Sequence, residues 1–279
     1  MANFNLYATL SDYKNYSVSR GNSASLDGID DAVIIDLLEE ASRHLDDLAR
    51  RQFYPTIETR VFDTPGDSEL LLDKDLLSLT TLTNGDASVI SAANYTLAPA
   101  NDTPKYAIRL KGDSSVTWEP DSDNDTEQVI SVLGWWGYRQ QFSARAWQSV
   151  GTLGAAISDT TTLAFTMTSG HTVKAGQILK IDSEIYNVDT VATNTVTPFA
   201  RGDNGSTAAT HSNGATVYKW IPESKVRIAT LEKTAVDYAR RFGKSISETA
   251  QVTAAGIVLA PNGDPQSVAD VVIQFGRLV

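Results

Sequence analysis

The clearest pattern of apolar and polar positions in the chain lies between Asp30 and Pro55. Apolar side chains recur there at steps of three and four, which places them along one side of an α-helix. They are Ile34, Leu37, Leu38, Ala41, Leu45 and Leu48. Acidic residues at the start and Arg50 and Arg51 at the end complement the helix dipole, and Pro55 prevents continuation. The pattern predicts a helix over 31–52.

The same period predicts three further helices. Residues 6–16 are predicted to form a short N-terminal helix capped by Thr9 or Ser11. A second long helix over 223–242 carries the apolar stripe Ile228, Leu231, Ala235, Tyr238 and Phe242, which can meet the first. A last short helix follows Asp264-Pro265, and its apolar residues are Val268, Val271, Val272 and Phe275.

Between residues 57 and 138 the pattern changes to short alternating or β-branched runs, which predict an antiparallel β unit. Asn84-Gly85 lies between two of these runs and predicts a two-residue hairpin turn. The segment from Ala156 to Trp220, rich in Thr, Val, Gly and Asn, predicts a separate small β barrel or sandwich. Its turns are expected at Ser169-Gly170, Asn194 and Asn204-Gly205.

Several stretches together resemble the head-tail adaptor proteins, also called head-completion or connector proteins, of tailed bacteriophages. They are RRQFYP, ETRVFDTP, LLLDKDLLSLTTLTNGD and GWWGY, and their order and spacing carry the resemblance over roughly residues 5–140 and 222–279. Members of that family form a ring, typically of twelve copies, which binds below the portal and receives the tail. Within 176–217, a second set resembles a module of phage virion proteins: Asp182, Glu184, Arg201, Gly202, Ala209, His211 and Gly214.

The expected fold class is therefore α+β. A helical adaptor core with an antiparallel β unit would carry an inserted small all-β domain, a barrel or a sandwich. The boundaries are 1–150 for the N-terminal part of the adaptor core, 151–220 for the inserted β domain, and 221–279 for the C-terminal part with a docking tail. The insertion is inferred because an unrelated β segment interrupts the parts that resemble one family.

The acidic balance of the chain bears on its partners. A net charge of -11 over 279 residues argues against a surface that grips nucleic acid, so DNA is expected to pass through the ring without specific binding. The channel-facing candidates are Asp46, Asp47, Asp121, Asp123 and Asp125. The chain has no Cys, which excludes disulfides and thiolate metal sites. With no signal peptide and no apolar run near ~20 residues, we expect a soluble protein with no membrane contact.

Three patterns permit a chemical interpretation, and each has a structural alternative that we favour. Asp121, Asp123 and Asp125 resemble the start of a calcium loop, but Thr126 and Val132 stand where Gly and Glu are needed, which favours a solvated acidic loop. A set of His211, Glu184 and Asp182 is more typical of a histidine that ties two loops than of a metal or acid-base site. Arg201-Gly202-Asp203 copies an adhesion motif but fits a turn. We expect no catalytic, cofactor or metal site and no enzyme activity.

The aromatic residues and the C-terminus complete the expectations. Trp118, Trp135, Trp136 and Tyr138 are expected in the core or at subunit contacts rather than in a stacking platform for sugars or bases. Phe275, Leu278 and Val279 are predicted as apolar portal anchors with Arg277 as a charged contact, and the alternative is a tail that folds back on its own subunit.

The resemblance implies a structural head-tail adaptor in the virion neck, assembled in the host cytoplasm. Its partners would be other copies of itself in a ring, the portal protein, and a tail terminator, nozzle or other neck protein. The alternative is a virion-surface or tail-associated protein that binds a glycan or receptor through the inserted β domain.

Overall fold

The computed structural model describes residues 5–19, 30–242, 251–252, 258–259 and 263–277. Its α-helices are α1 (Leu10–Ser19), α2 (Asp31–Ala49), α3 (Phe142–Arg145), α4 (Ser224–Phe242) and α5 (Gln266–Phe275). The strands are β1 (Thr56–Phe62), β2 (Glu69–Thr83), β3 (Tyr95–Ala98), β4 (Lys105–Leu110), β5 (Ile130–Trp136), β6 (Trp147–Thr152), β7 (Phe165–Thr166), β8 (Ile178–Ile181), β9 (Glu184–Ala192), β10 (Thr195–Pro198), β11 (Thr216–Trp220), β12 (Gln251–Val252) and β13 (Val258–Leu259).

The first half of the chain builds a five-stranded antiparallel sheet in the order β1-β5-β2-β4-β3. One face carries a core of mostly aliphatic side chains around Trp136, which is fully buried. The hairpin after β2 differs from the prediction. The loop is longer than two residues, and the Ala87 N–H donates to the Asn84 carbonyl. Ala87 has a positive φ of 63°, whereas a two-residue turn would place positive φ at Asn84 and Gly85.

Residues 147–220 form a closed six-stranded barrel, which decides between the two predicted alternatives. The strand order is β6-β11-β8-β9-β10-β7. The last strand returns to the first, because Leu153 bridges to Met167 and the Gly154 N–H donates to the Thr166 carbonyl at 2.8 Å. Twelve buried side chains fill the interior. Closure leaves the barrel with no open edge between these strands. The predicted turns lie at Ser169-Gly170, Asn194 and Asn204-Gly205.

The stripe predicted for α2 is closely followed, and that of α4 only in part, since Leu231 and Tyr238 are buried while Ile228 is exposed. In α2 every predicted apolar position from Ile34 to Leu45 is buried. Leu48 is exposed and Ala49 is buried in its place, since the helix ends there and Arg50 turns the chain with a φ of 51°. Thr9 caps α1 as predicted: its hydroxyl accepts the Asp12 N–H at 3.1 Å, and the Asp12 carboxylate accepts the Thr9 N–H at 3.0 Å.

The expected fold class, an α+β protein with a helical adaptor core, is wrong. The protein is mostly β, with two antiparallel sheets and a minority of helical residues. The five-stranded sheet and the barrel each have a separate apolar core, and the helices pack in clusters of their own. Two amphipathic helices give a strong period of 3.6 residues, whereas each strand gives only a short signal. The helices are therefore easier to detect in the sequence than the strands, and the prediction wrongly made them the core of the fold.

The barrel packs against one end of the sheet, opposite the sheet's own core. The contact is an aromatic-rich cluster: Tyr54, Ile57, Leu77, Trp135, Phe142, Ala146, Trp147, Ile178, Ile185 and Trp220. The barrel begins at β6, close to the predicted boundary at 150/151, and the independence of an inserted domain stays a prediction. Among the helices described, none is long and apolar enough to cross a lipid bilayer.

Candidate functional site

The most concentrated set of charged side chains in the barrel surrounds Glu184, whose side chain is fully buried. Arg201 donates to both carboxylate oxygens, at 2.8 and 3.0 Å. The backbone N–H groups of Gly202 and Ala209 donate at 3.0 and 2.8 Å. His211 lies 3.0 Å from Glu184 through Nε2 and 2.7 Å from Asp182 through Nδ1. Six of the seven residues of the virion-module pattern therefore meet around the buried Glu184; Asp182 joins them from the surface, and Gly214 lies outside the network.

This network holds loops together, and both carboxylate oxygens of Glu184 accept hydrogen bonds within it. Burial raises the pKa of Glu184, but the hydrogen bonds from Arg201, Ala209 and His211 lower it further, to about 2. Arg201 also donates to the carbonyls of Asp159, Thr162 and Ala209, so its guanidinium is saturated. In the described part of the chain, no group of three or more acidic or His side chains is arranged to hold a metal ion.

The adhesion motif lies inside the same network. The Arg201 side chain is 5% exposed, and Asp203 is buried with its carboxylate accepting the Asn187 N–H at 2.7 Å. An adhesion receptor would need both side chains free on the surface, so the structure favours the turn interpretation.

Asp46 belongs to a second, partly buried cluster, in which its side chain is 15% exposed. Its place on a channel wall stays a prediction. Its carboxylate accepts the Tyr7 hydroxyl and lies 3.1 Å from Arg43. Arg43 in turn covers the rings of Tyr7 and Tyr54, with its guanidinium 5.4 and 4.6 Å from their centres. Burial raises the pKa of Asp46 to about 7, although Arg43 and the hydrogen bonds from Tyr7 and Phe53 lower it.

The other predicted channel residues lie at the surface. Asp47 is exposed on α2, and Asp123 and Asp125 are exposed in the loop before β5. Asp121 is partly buried and shapes that loop, because its Oδ1 accepts the N–H groups of Asp123 and Asp125 at 2.9 and 2.8 Å. This turn matches the expected acidic loop better than a calcium loop.

The predicted docking residues divide into two pairs. Phe275 is buried in a cluster with Phe53 and Tyr138, their ring centres 6.0 and 5.4 Å away. Arg277 hydrogen-bonds to the carbonyls of Leu72 and Asp73, so its side chain is held by its own chain. These contacts favour the folded-back alternative as far as Arg277. Leu278 and Val279 lie outside the described residues.

The remaining aromatic candidates form no exposed platform. Trp135 packs in the contact between sheet and barrel, with Trp147 at a centre distance of 6.0 Å. Trp136 is fully buried, and Trp118 packs against the sheet core. These positions agree with the expected core role.

The structure also joins segments whose proximity the sequence does not reveal. The side chain of Arg51 pairs with Asp75, and its guanidinium lies 4.6 Å from the ring centre of Tyr138. The Tyr138 N–H donates to the Gln52 carbonyl, and the Gly137 N–H donates to the Asp75 carbonyl at 2.9 Å. Three stretches that resemble the adaptor family, RRQFYP, LLLDKDLLSL and GWWGY, therefore converge. No local pattern in the sequence predicts that these three stretches are in contact; they share only their resemblance to one family.

A groove of about 350 Å³ opens where the N-terminal segment, the barrel and α4 meet. Its lining includes the apolar Leu6, Ile221 and Ile228 and the charged Lys219 and Arg227. Arg227 pairs with Asp12 at 2.7 Å. The groove is a recess at a junction. Its Thr9 hydroxyl and Asp12 carboxylate are engaged with each other at 3.0 Å as the cap of α1.

Comparison with models of known protein families finds no match to this chain. Comparison with curated proteins finds no match either.

Proposed function

We propose that this chain is a structural subunit of the head-tail adaptor of a tailed phage. Copies would join into a ring, typically of twelve in the resembling family, which binds the portal, continues the DNA channel and receives the tail. The observation that carries the proposal is the convergence of the resembling stretches: Arg51 contacts Asp75 and Tyr138 at one junction. Residues that are distant in sequence and carry the resemblance are thus joined by specific contacts.

The chemistry of the charged clusters supports a structural rather than a catalytic role. Glu184 is buried and Asp46 is mostly buried, and their oxygens face hydrogen-bond donors of their own chain. A catalytic carboxylate would face a cavity in which substrate can reach it. The proposal places the protein in the virion neck, after assembly in the host cytoplasm.

Within this proposal, only the last two residues of the predicted docking set are assigned to portal binding. Phe275 and Arg277 are engaged within the chain, so Leu278 and Val279 carry the predicted docking. Asp47, Asp123 and Asp125 are the surface candidates for the channel wall, where repulsion between phosphates and carboxylates would let DNA slide.

Electron microscopy of the purified protein, alone and mixed with its portal, tests the proposal. We expect a closed ring whose central hole continues the portal channel. A protein that binds no portal, or that lies beside the tail axis in the virion, would contradict the assignment.

A further inference from the structure

The five-stranded sheet has a surface without charge in a chain whose net charge is -11. The face opposite the sheet's core carries seven small or apolar residues away from the barrel, and we name this set the uncharged half-face. Its members are Thr59, Val61, Thr81, Thr83, Val89, Ser131 and Leu133. The register places them side by side: Thr59 and Thr81 flank Leu133, and Val61 and Thr83 flank Ser131.

Two of the exposed side chains of this half-face are apolar. Val61 is 50% exposed and Val89 is 67% exposed. The same face continues to Ile57 and Trp135, which are covered by Ile178 and Trp220 of the barrel. The face therefore already packs against a β surface along part of its length, and the uncharged half-face extends that interface.

The rim of the half-face is acidic. Asp63 follows β1, Asp86 lies in the hairpin after β2, and Glu127 precedes β5, all at the end of the sheet away from the barrel. All three residues are exposed. A partner for this surface must therefore offer apolar contact together with positive charge.

The chain itself carries a surface of that kind. Lys219 and Arg227 line the groove, while Lys174 and Lys225 are exposed beside the groove residues Gly176 and Ser224. We name these four residues the basic groove. Ile228, 46% exposed, adds an apolar side chain to the lining. Asp12 is an acid in the lining, and it pairs with Arg227.

We propose that the uncharged half-face of one copy docks on the basic groove of the next copy. The contact joins two different surfaces, so each copy keeps one of each free, and repetition of the contact gives a ring or a filament. This inference rests on the proposed ring assembly and names the surfaces that would form it.

Sedimentation of the full-length chain at low and high salt tests the contact. We expect the wild type to associate and V61K/V89K to associate at least tenfold more weakly. The two new Lys side chains on the half-face of one copy would repel the Lys and Arg side chains of the basic groove on the next copy. I273K is the matched control: Ile273 is 81% exposed on α5, outside both surfaces, and its replacement should change nothing. Circular dichroism checks that each variant is folded.

Charge reversal identifies the partner surface. D63K/D86K and K219E/K225E should each stay monomeric, whereas their mixture, and one chain with all four changes, should associate again. A wild type that stays monomeric to about 0.1 mM would overturn the inference, since an affinity weaker than that would need help from another protein. Association that none of these variants weakens would also overturn it, while ring assembly through other surfaces would still stand.

Discussion

Gly205 in the barrel lies directly against the carbonyl oxygen of Ile57 in β1, so close that an added Cβ atom would stand 1.9 Å from that oxygen. Its φ of 77° is also one that residues with a side chain rarely adopt. The neighbouring Asn204 donates to Asn5 at 2.8 Å and to the Pro55 carbonyl at 3.0 Å. This turn is therefore a point at which the barrel, the sheet and the N-terminal segment are joined.

Replacement of Gly205 tests this contact. We expect G205A to lower the free energy of unfolding by about 3 kcal/mol or more, because the clash with a backbone atom adds to the strain of a positive φ. Gly214 provides a matched control: its φ is 81°, and a Cβ there meets no atom within 4 Å. G214A should cost only about 1–2 kcal/mol. Equal losses in urea unfolding would show that the close approach to Ile57 is not important.

The network around Glu184 makes a second prediction. E184Q keeps the shape of the side chain, but its amide NH₂ would face Arg201 or a backbone N–H group, donor against donor. The buried charge of Arg201 then has no carboxylate partner. We expect a loss of about 3–5 kcal/mol in the free energy of unfolding. D182N serves as the control, since the Asp182 side chain is 67% exposed and its pairing with His211 is worth at most about 1 kcal/mol. Thermal unfolding monitored by near-UV circular dichroism compares the two variants.

A second consequence follows for pH. The low pKa of Glu184 means that its contribution to stability is present above the ordinary glutamate pKa and is lost as the pH falls toward 2. The difference in the free energy of unfolding between the wild type and E184Q should therefore be smallest near pH 2. A constant difference between pH 2 and 6 would contradict the assignment.

Asp46 has the opposite pH dependence, because burial raises its pKa to about 7. The folded state then holds a proton that the unfolded state has released, so the stability from this group is present below about pH 4 and lost as the pH rises to 7. D46N removes that titration. We expect the free energy of unfolding of the wild type, minus that of D46N, to fall between pH 4 and 7 by up to ~1.4 kcal/mol per pH unit.

D47N is the control for this measurement, since Asp47 is the exposed neighbour. Its difference from the wild type should vary little over the same range. If the difference for D46N rises with pH instead, the attraction of Arg43 outweighs the burial of Asp46.

The local elements were more predictable from the sequence than their arrangement. The stripe from Ile34 to Leu45 was correct because amphipathic period is set by nearby residues. No local signal shows that β5 inserts between β1 and β2, since that pairing joins Leu133 to Thr59 and Thr81, 74 and 52 positions away along the chain. The predicted helical core was wrong for the same reason: the pairing of distant strands, which makes the protein mostly β, has no local signal.

The site predictions divide along similar lines. His211 was expected to tie loops through Glu184 and Asp182, and the distances confirm it. Asp46 was placed on a polar helix face, since nothing near it in the sequence reveals that Tyr7 covers it. Phe275 fitted both a core and a docking role, because an apolar stripe shows that a side is buried but does not name the partner.

The final prediction separates the proposed docking role of Leu278 and Val279 from the structural role of α5. α5 is held at its start by Asp264, which lies 2.6 Å from His44 and 3.2 Å from Lys233. Phe275 and Arg277 hold its end. A truncation after Gln274 therefore removes a core side chain, and we expect it to lower stability by about 3–5 kcal/mol, which makes any loss of portal binding ambiguous.

A truncation after Arg277 removes only Leu278 and Val279 and keeps every contact described above. We expect this variant to match the wild type in thermal stability and in sedimentation, and to lose portal binding by more than tenfold, because two apolar side chains per copy are worth about 3 to 5 kcal/mol before binding costs and a ring multiplies the effect. L278S/V279S should behave in the same way without changing the chain length. Portal capture at full strength by both variants would refute docking through these residues and assign the portal contact to another surface of the ring.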